Sequence, residues 1–180
     1  MNYIGWDLST KRSGITKIDT SVPLGYKVLA RWSKGPATRN PSRVVGFFED
    51  TVEKVFKSQP SSVIAIDWSL SEAHMRGNRQ HTLLKGLVAG IIFSELKKYN
   101  HFPVFISPLQ VRKNFYLASN TSKENVAKAF AEEWRSIGFQ VSGLNKLNEH
   151  TLDALILAYI ASTKKLTGKE SVFFQVSDNY

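Results

Sequence analysis

The sequence predicts an α/β fold on a mixed five-stranded sheet, three antiparallel strands followed by parallel ones, with helices on both faces. Three observations lead there. Three strand-like runs, at 3–8, 15–18 and 26–32, succeed one another with only turn-like residues between them, as in an antiparallel meander. Beyond residue 41 helical apolar stripes alternate with short apolar runs at 62–67 and 103–106, the alternation that parallel strands need. The run Val63-Ile64-Ala65-Ile66 is apolar without interruption, as in a central strand covered on both faces.

The elements follow in order. Residues 3–8 form the first strand, Lys11-Arg12-Ser13-Gly14 reads as a turn, and Ile15-Thr16-Lys17-Ile18 alternates as a second strand. Tyr26 to Trp32 is the third. Pro41-Ser42 opens a helix whose stripe is Val44, Val45, Phe47, Phe48, Val52, Val55 and Phe56, and Pro60 stops it. A helix from about Arg79 to Tyr99 follows the 62–67 strand. Gly86 and Gly90 lie one turn apart on it; both weaken a helix, so close packing is the expected reason for them. After the 103–106 strand, Ser107-Pro108 opens a short helix carrying Val111 and Phe115. Thr121 or Ser122 caps the next, which runs to Ser136. The last long helix spans roughly 149–164, with its main stripe at Leu152, Leu155, Ile156, Tyr159 and Ile160.

At 180 residues the chain suits one domain with a substantial core. Cysteine is absent, which excludes disulfides and thiolate metal sites. The N-terminus opens on a strand rather than a targeting segment, and the longest apolar run, 86–93, falls short of the roughly 20 residues of a membrane span. An intracellular protein without a membrane is expected. The net charge of +9 favours a polyanionic partner. Its distribution strengthens that reading: no acid occurs from Thr20 to Phe48 or from Ala73 to Ser94, whereas Arg39, Arg43, Arg76, Arg79 and Lys85 fall inside those windows. A solvated basic face is the plain alternative.

Against this basic background three acids stand in costly places. Asp7 and Asp67 each end a hydrophobic strand, and Asp153 sits at the margin of the last helix's apolar stripe. If the two strands lie side by side in parallel, about 4.8 Å separates them, and the carboxylates crowd one end of the sheet. His150 shares a helix face with Asp153 at i and i+3. An oxygen and imidazole set of this kind suits Mg²⁺ or Mn²⁺ and points to metal-assisted hydrolysis. Arg112, Lys113 and Lys123 are candidates to hold a phosphate. The alternatives are local: Asp7 as a cap on the turn at Ser9-Thr10, Glu149 and Asp153 as partners of the helix dipole, and the basic residues as surface charges.

Ile4-Gly5-Trp6-Asp7-Leu8-Ser9 with Ser13-Gly14, Gln110-Val111-Arg112, Lys123-Glu124-Asn125-Val126, and Glu149-His150-Thr151-Leu152-Asp153-Ala154-Leu155 occur in that order. Together they resemble the RuvC family of Holliday junction resolvases, over almost the whole chain to about Lys165. The resemblance implies an RNase H-like nuclease domain at 1–165, with 166–180 a tail or added edge strand. It implies a metal site of Asp7, Asp67, His150 and Asp153 for two Mg²⁺ ions, which Mn²⁺ can replace, with Arg112 and Lys123 as the basic pair. It also implies a homodimer that cuts opposed strands of a four-way DNA junction and leaves 5′-phosphate ends. Lys11, Arg12, Arg39, Arg43, Arg76, Arg79, Lys85 and Lys113 are the residues expected on the DNA backbone.

The sequence departs from the family pattern at Asp67 (usually Glu), His150 (often Asp) and Arg112 (usually Lys). For the family's aromatic wedge the nearest candidates are Trp68, Leu70 and Met75. These departures suit a phage- or organelle-type relative of broad branched-DNA specificity. Its compartment would then be cytoplasm or nucleoid, a phage-infected cell, or an organelle matrix. Other readings are an actin-like sugar kinase, an RNA-processing nuclease of the YqgF type, and a catalytically silent junction-binding module.

Overall fold

The computed structural model describes residues 2–9, 12–22, 25–38, 40–68, 79–137 and 147–163. The candidates Lys11, Arg39, Leu70, Met75 and Arg76, and the segment 166–180, lie outside them. Five strands, β1 (Asn2–Asp7), β2 (Ser13–Val22), β3 (Gly25–Lys34), β4 (Ser62–Asp67) and β5 (Phe102–Ile106), form one sheet in the order β3-β2-β1-β4-β5. The first three are antiparallel, while β4 pairs in parallel with β1 and with β5.

The helices are α1 (Pro41–Phe56), α2 (Arg79–Lys98), α3 (Pro108–Asn114), α4 (Lys123–Ser136) and α5 (Glu149–Thr163). Several starts have local causes. Asn40 caps α1, accepting from the Arg43 N–H at 3.3 Å, with Pro41 inside the first turn. Ser107 and Gln110 close a capping box on α3, and Ser122 caps α4.

Strand alternation sends Ile4, Trp6, Ile64 and Ile66 to one face, where Phe48, Val52 and Phe56 of α1 and Val88, Ile92 and Leu96 of α2 cover them. Ala65 and Val104 face the other way, onto α4 and α5 with Phe130, Trp134, Leu155 and Tyr159. Helices therefore cover both faces, as the sequence predicts.

Two local expectations change. Gly14 is not a turn residue: it lies within β2, opposite Asp7. A Cβ there would stand 2.1 Å from the His150 carbonyl oxygen, and one at Gly5 would stand 1.7 Å from that of Ala154. Both glycines let the α5 backbone lie directly on the sheet. The buried Thr16 hydroxyl adds a hydrogen bond to the Thr151 carbonyl at 2.9 Å. So close a seat also broadens the α5 stripe: every residue from Ala154 to Ala161 is buried, because the helix is covered by more than the sheet. Gly90 is the second change. Among the described residues nothing lies within 4 Å of where its Cβ would be, so none of them is a close-packed partner there. Leu83 and Leu87 on the same helix are 74% and 53% exposed. No described helix is long and apolar enough to cross a membrane.

Candidate active site

The parallel register sets Trp6 beside Ile66, so the next residues along, Asp7 and Asp67, share one end of the sheet. By alternation with Gly5 and Ala65 both belong to the α5 face. The first turns of α5 bring His150 and Asp153 to the same place. These four line a single cavity of about 340 Å³ with Lys85 of α2, Arg112 of α3 and Lys123 of α4. All six predicted catalytic positions therefore meet, although they come from five separate elements, β1, β4, α3, α4 and α5.

Within the cavity each acid has its own basic partner. His150 Nδ1 is 2.7 Å from Asp7 Oδ2, Lys123 Nζ donates to Asp153 Oδ2 at 2.9 Å, and Lys85 Nζ donates to Asp67 Oδ2 at 3.4 Å. Lys123 also reaches Glu149 at 3.2 Å, so Glu149 does more than favour a helix dipole. Burial pushes the Asp7 carboxyl up to about 6; the His150 hydrogen bond opposes this, and the charges of Asp67 and Asp153 add to it. Burial likewise raises Asp153, against the pull of Lys123. For Lys123, burial acts to lower the ammonium's pKa, but the hydrogen bond and charge of Asp153 prevail and hold it above its ordinary value.

Among the described residues no three His, Asp or Glu side chains are gathered as ligands of one ion. The donor chemistry nevertheless fits a hard divalent cation: three carboxylates and an imidazole face one cavity. The basic partners now meet the charge that a cation would meet.

Arg112 has a part that its sequence position did not show. Its Nε–H donates to the Thr121 carbonyl at 3.0 Å, next to the Ser122 cap and Lys123. Its own carbonyl accepts from the Phe115 and Leu117 N–H groups at the end of α3, where Tyr116 takes the left-handed conformation at φ 55°. Arg112 thus ties together the loop that delivers Lys123.

No protein-family model and no curated protein matches the chain. Solved structures do. Thermus thermophilus RuvC superposes with a TM-score of 0.65 at 16% identity, covering 88% of this chain and 91% of that one. Its complex with a Holliday junction substrate gives 0.65 at 17%, over 88% and 90%. The yeast mitochondrial Holliday junction resolvase gives 0.56 at 12%, over 86% and 75%. The fold is that of RuvC.

On this RuvC fold the residues expected to grip DNA divide. Arg12, Arg43 and Lys113 are exposed, as that reading requires. Arg79 opens α2, and its side chain lies outside the described atoms. Lys85 differs from them: its side chain is only 14% exposed and is turned into the cavity onto Asp67, not onto the outer surface. Being in an acid-free stretch of sequence hid an acid that is near only in space. Trp68 is not presented as a wedge either, because it packs edge-to-face on Phe105 at 4.9 Å and against the α1/α2 core.

Proposed function

We propose that the protein is a structure-selective DNA endonuclease that resolves four-way junctions by metal-dependent phosphodiester hydrolysis, leaving 5′-phosphate ends. The observation that carries this reading is the meeting of Asp7, Asp67, His150 and Asp153 with Lys123 in one cavity, on a fold shared with a protein solved bound to a Holliday junction.

Mg²⁺ ions, or Mn²⁺ in their place, held by these four residues would activate water and stabilise the departing oxygen. The chain's own groups do the rest. Asp7 and Asp67, fixed on paired strands, set the spacing of the acidic side of the site. Lys123 has a side chain two-thirds exposed and open to an incoming strand, so its ammonium can meet the charge that builds on the phosphate. Arg112 keeps the loop before Lys123 in place. Exposed Arg12, Arg43 and Lys113 contact the DNA backbone and make binding fall steeply with salt. Paired cuts call for two cavities. The exposed Leu83 and Leu87, on the helix that carries the open Gly90, supply an apolar surface for a homodimer.

The test is incubation with synthetic four-way, three-way and duplex DNA, and a four-way RNA, under Mg²⁺ and Mn²⁺. Symmetric paired cuts near the DNA branch point are expected. Asp7→Asn should retain junction binding and lose cleavage; normal cutting by that variant would sink the assignment. Preferential cutting of RNA would move the substrate to the RNA-processing class, and binding without cleavage in either metal would leave a junction-binding module.

A further inference from the structure

We propose that Lys85 is a working cation of the active site. It holds Asp67 in the free protein, and it turns to the phosphodiester when divalent ions take that carboxylate. This rests on the nuclease reading above and adds a residue to it.

The first support is placement. β4 alternation puts Ile64 and Ile66 on the α2 side and Asp67 with Ala65 on the α5 side. Lys85 belongs to α2, yet it lines the cavity with residues of α3, α4 and α5. It therefore crosses the end of β4 to enter a site built on the opposite face. The side chains of Lys85 and Asp67 are only 14% and 18% exposed. Withdrawing an ammonium this far from water is unfavourable unless an acid meets it, so the pair is a feature of the site rather than a chance surface contact.

The second support is the looseness of the pair. At 3.4 Å it is longer than the 2.7 Å of Asp7 with His150 and the 2.9 Å of Asp153 with Lys123. Charge-assisted hydrogen bonds at full strength fall near the shorter values. Of these three ion pairs Lys85–Asp67 is the longest, and a lysine head on a four-carbon stem has the reach to turn from the carboxylate to a phosphate in the same cavity.

Two consequences have opposite signs. In the free protein the Lys85 charge competes with a divalent ion for Asp67. In the DNA complex the same charge stands where a non-bridging phosphate oxygen can accept from it. A lysine that only neutralised Asp67 would show the first effect and not the second.

The experiment uses the full chain with Lys85→Met and Lys85→Arg. Mn²⁺ binding to the DNA-free protein is followed by calorimetry, and junction cleavage by single-turnover kinetics at saturating Mg²⁺. Lys85→Met should bind Mn²⁺ about 3-fold more tightly or better, because a competing charge has gone. It should cut at least ~30-fold more slowly with junction affinity within ~3-fold, because a donor to the developing charge is missing. Lys85→Arg should recover most of the rate. Lys85→Gln replaces the Met variant if that one does not fold. Wild-type cutting by Lys85→Met would overturn the catalytic part, and weaker Mn²⁺ binding would show that Lys85 positions Asp67 rather than yielding it. If the wild type cuts no branched DNA, the nuclease reading fails by itself, and the Mn²⁺ comparison still decides whether Lys85 competes for Asp67.

Discussion

The two faces of the sheet are covered by helices in different ways. On one face α5 lies so close that its backbone occupies the space of missing side chains at Gly5 and Gly14. On the other, α1 and α2 stand off on large side chains, Trp6, Phe48, Phe56 and Ile92, and two of their glycines, Gly46 and Gly90, have no described atom within 4 Å of a Cβ. The close face carries the site: His150 is in the first turn of the locked helix, and its carbonyl is the very atom that a Cβ on Gly14 would strike. The stand-off face presents exposed leucines. Backbone contact fixes the elements that line the cavity on the close face, and the stand-off face leaves Leu83 and Leu87 exposed.

The largest expected effect breaks the close face. Gly5→Ala puts a methyl 1.7 Å from the Ala154 carbonyl oxygen and 2.7 Å from the Ala158 nitrogen. Both are helix backbone and neither can swing aside, so α5 must lift. A loss of about 3 kcal/mol or more is expected, at the top of the overpacking range. Chemical denaturation of the soluble fraction checks it, and near-wild-type stability would mean that α5 sits less tightly than described. The equivalent change on the other face should have the opposite sign.

A smaller effect concerns charge on the close face. Burial pushes the Asp7 carboxyl up from its ordinary 3.8 to about 6 in the folded protein. Between those values the folded state binds the extra proton. Stability from this group is therefore present at low pH, declines as pH rises through the window from 3.8 to about 6, and stays lost above it. Asp7→Asn removes the titration. It should stabilise the metal-free protein at neutral pH by on the order of 1–3 kcal/mol, with the gain vanishing near pH 4. Urea unfolding in chelator at both pH values, wild type against variant, gives the difference directly. Equal stability at neutral pH would mean that Asp7 carries no penalty when ionised.

Much of this was legible in the sequence because its signals are local. Asn40-Pro41, Ser107-Pro108 and Ser122 mark helix starts by their own side chains, and the structure places α1, α3 and α4 there. Asp7 and Asp67 were legible because a strand-end acid after an apolar run stands out, and His150 with Asp153 because three residues on a helix share a face. What escaped is non-local. Lys85 looked like one more basic residue because the end of β4 brings Asp67 to it only in the fold. Gly14 looked like a turn because the helix that needs its empty side begins 135 residues later, at Glu149. The α5 stripe looked one-sided because a period cannot reveal a second covering layer.

The smallest effect returns to the stand-off face and ties its two properties together. Gly90 is interior to α2, with open space where its Cβ would be. In a lone chain Gly90→Ala should stabilise by about 0.5–1 kcal/mol, because alanine favours the helix and meets nothing. If α2 is the surface on which two copies meet, the same methyl falls in the contact, and self-association weakens while the subunit's own stability rises. Sedimentation and thermal melts across a range of protein concentration separate the terms. Gly46→Ala, equally open on α1, is the control that should gain stability and leave association alone. Greater stability at every concentration with unchanged association would remove Gly90 from the dimer surface. Exposed Leu83 and Leu87 would then need another explanation, whereas a gain confined to low concentration explains the glycine and the leucines as one surface.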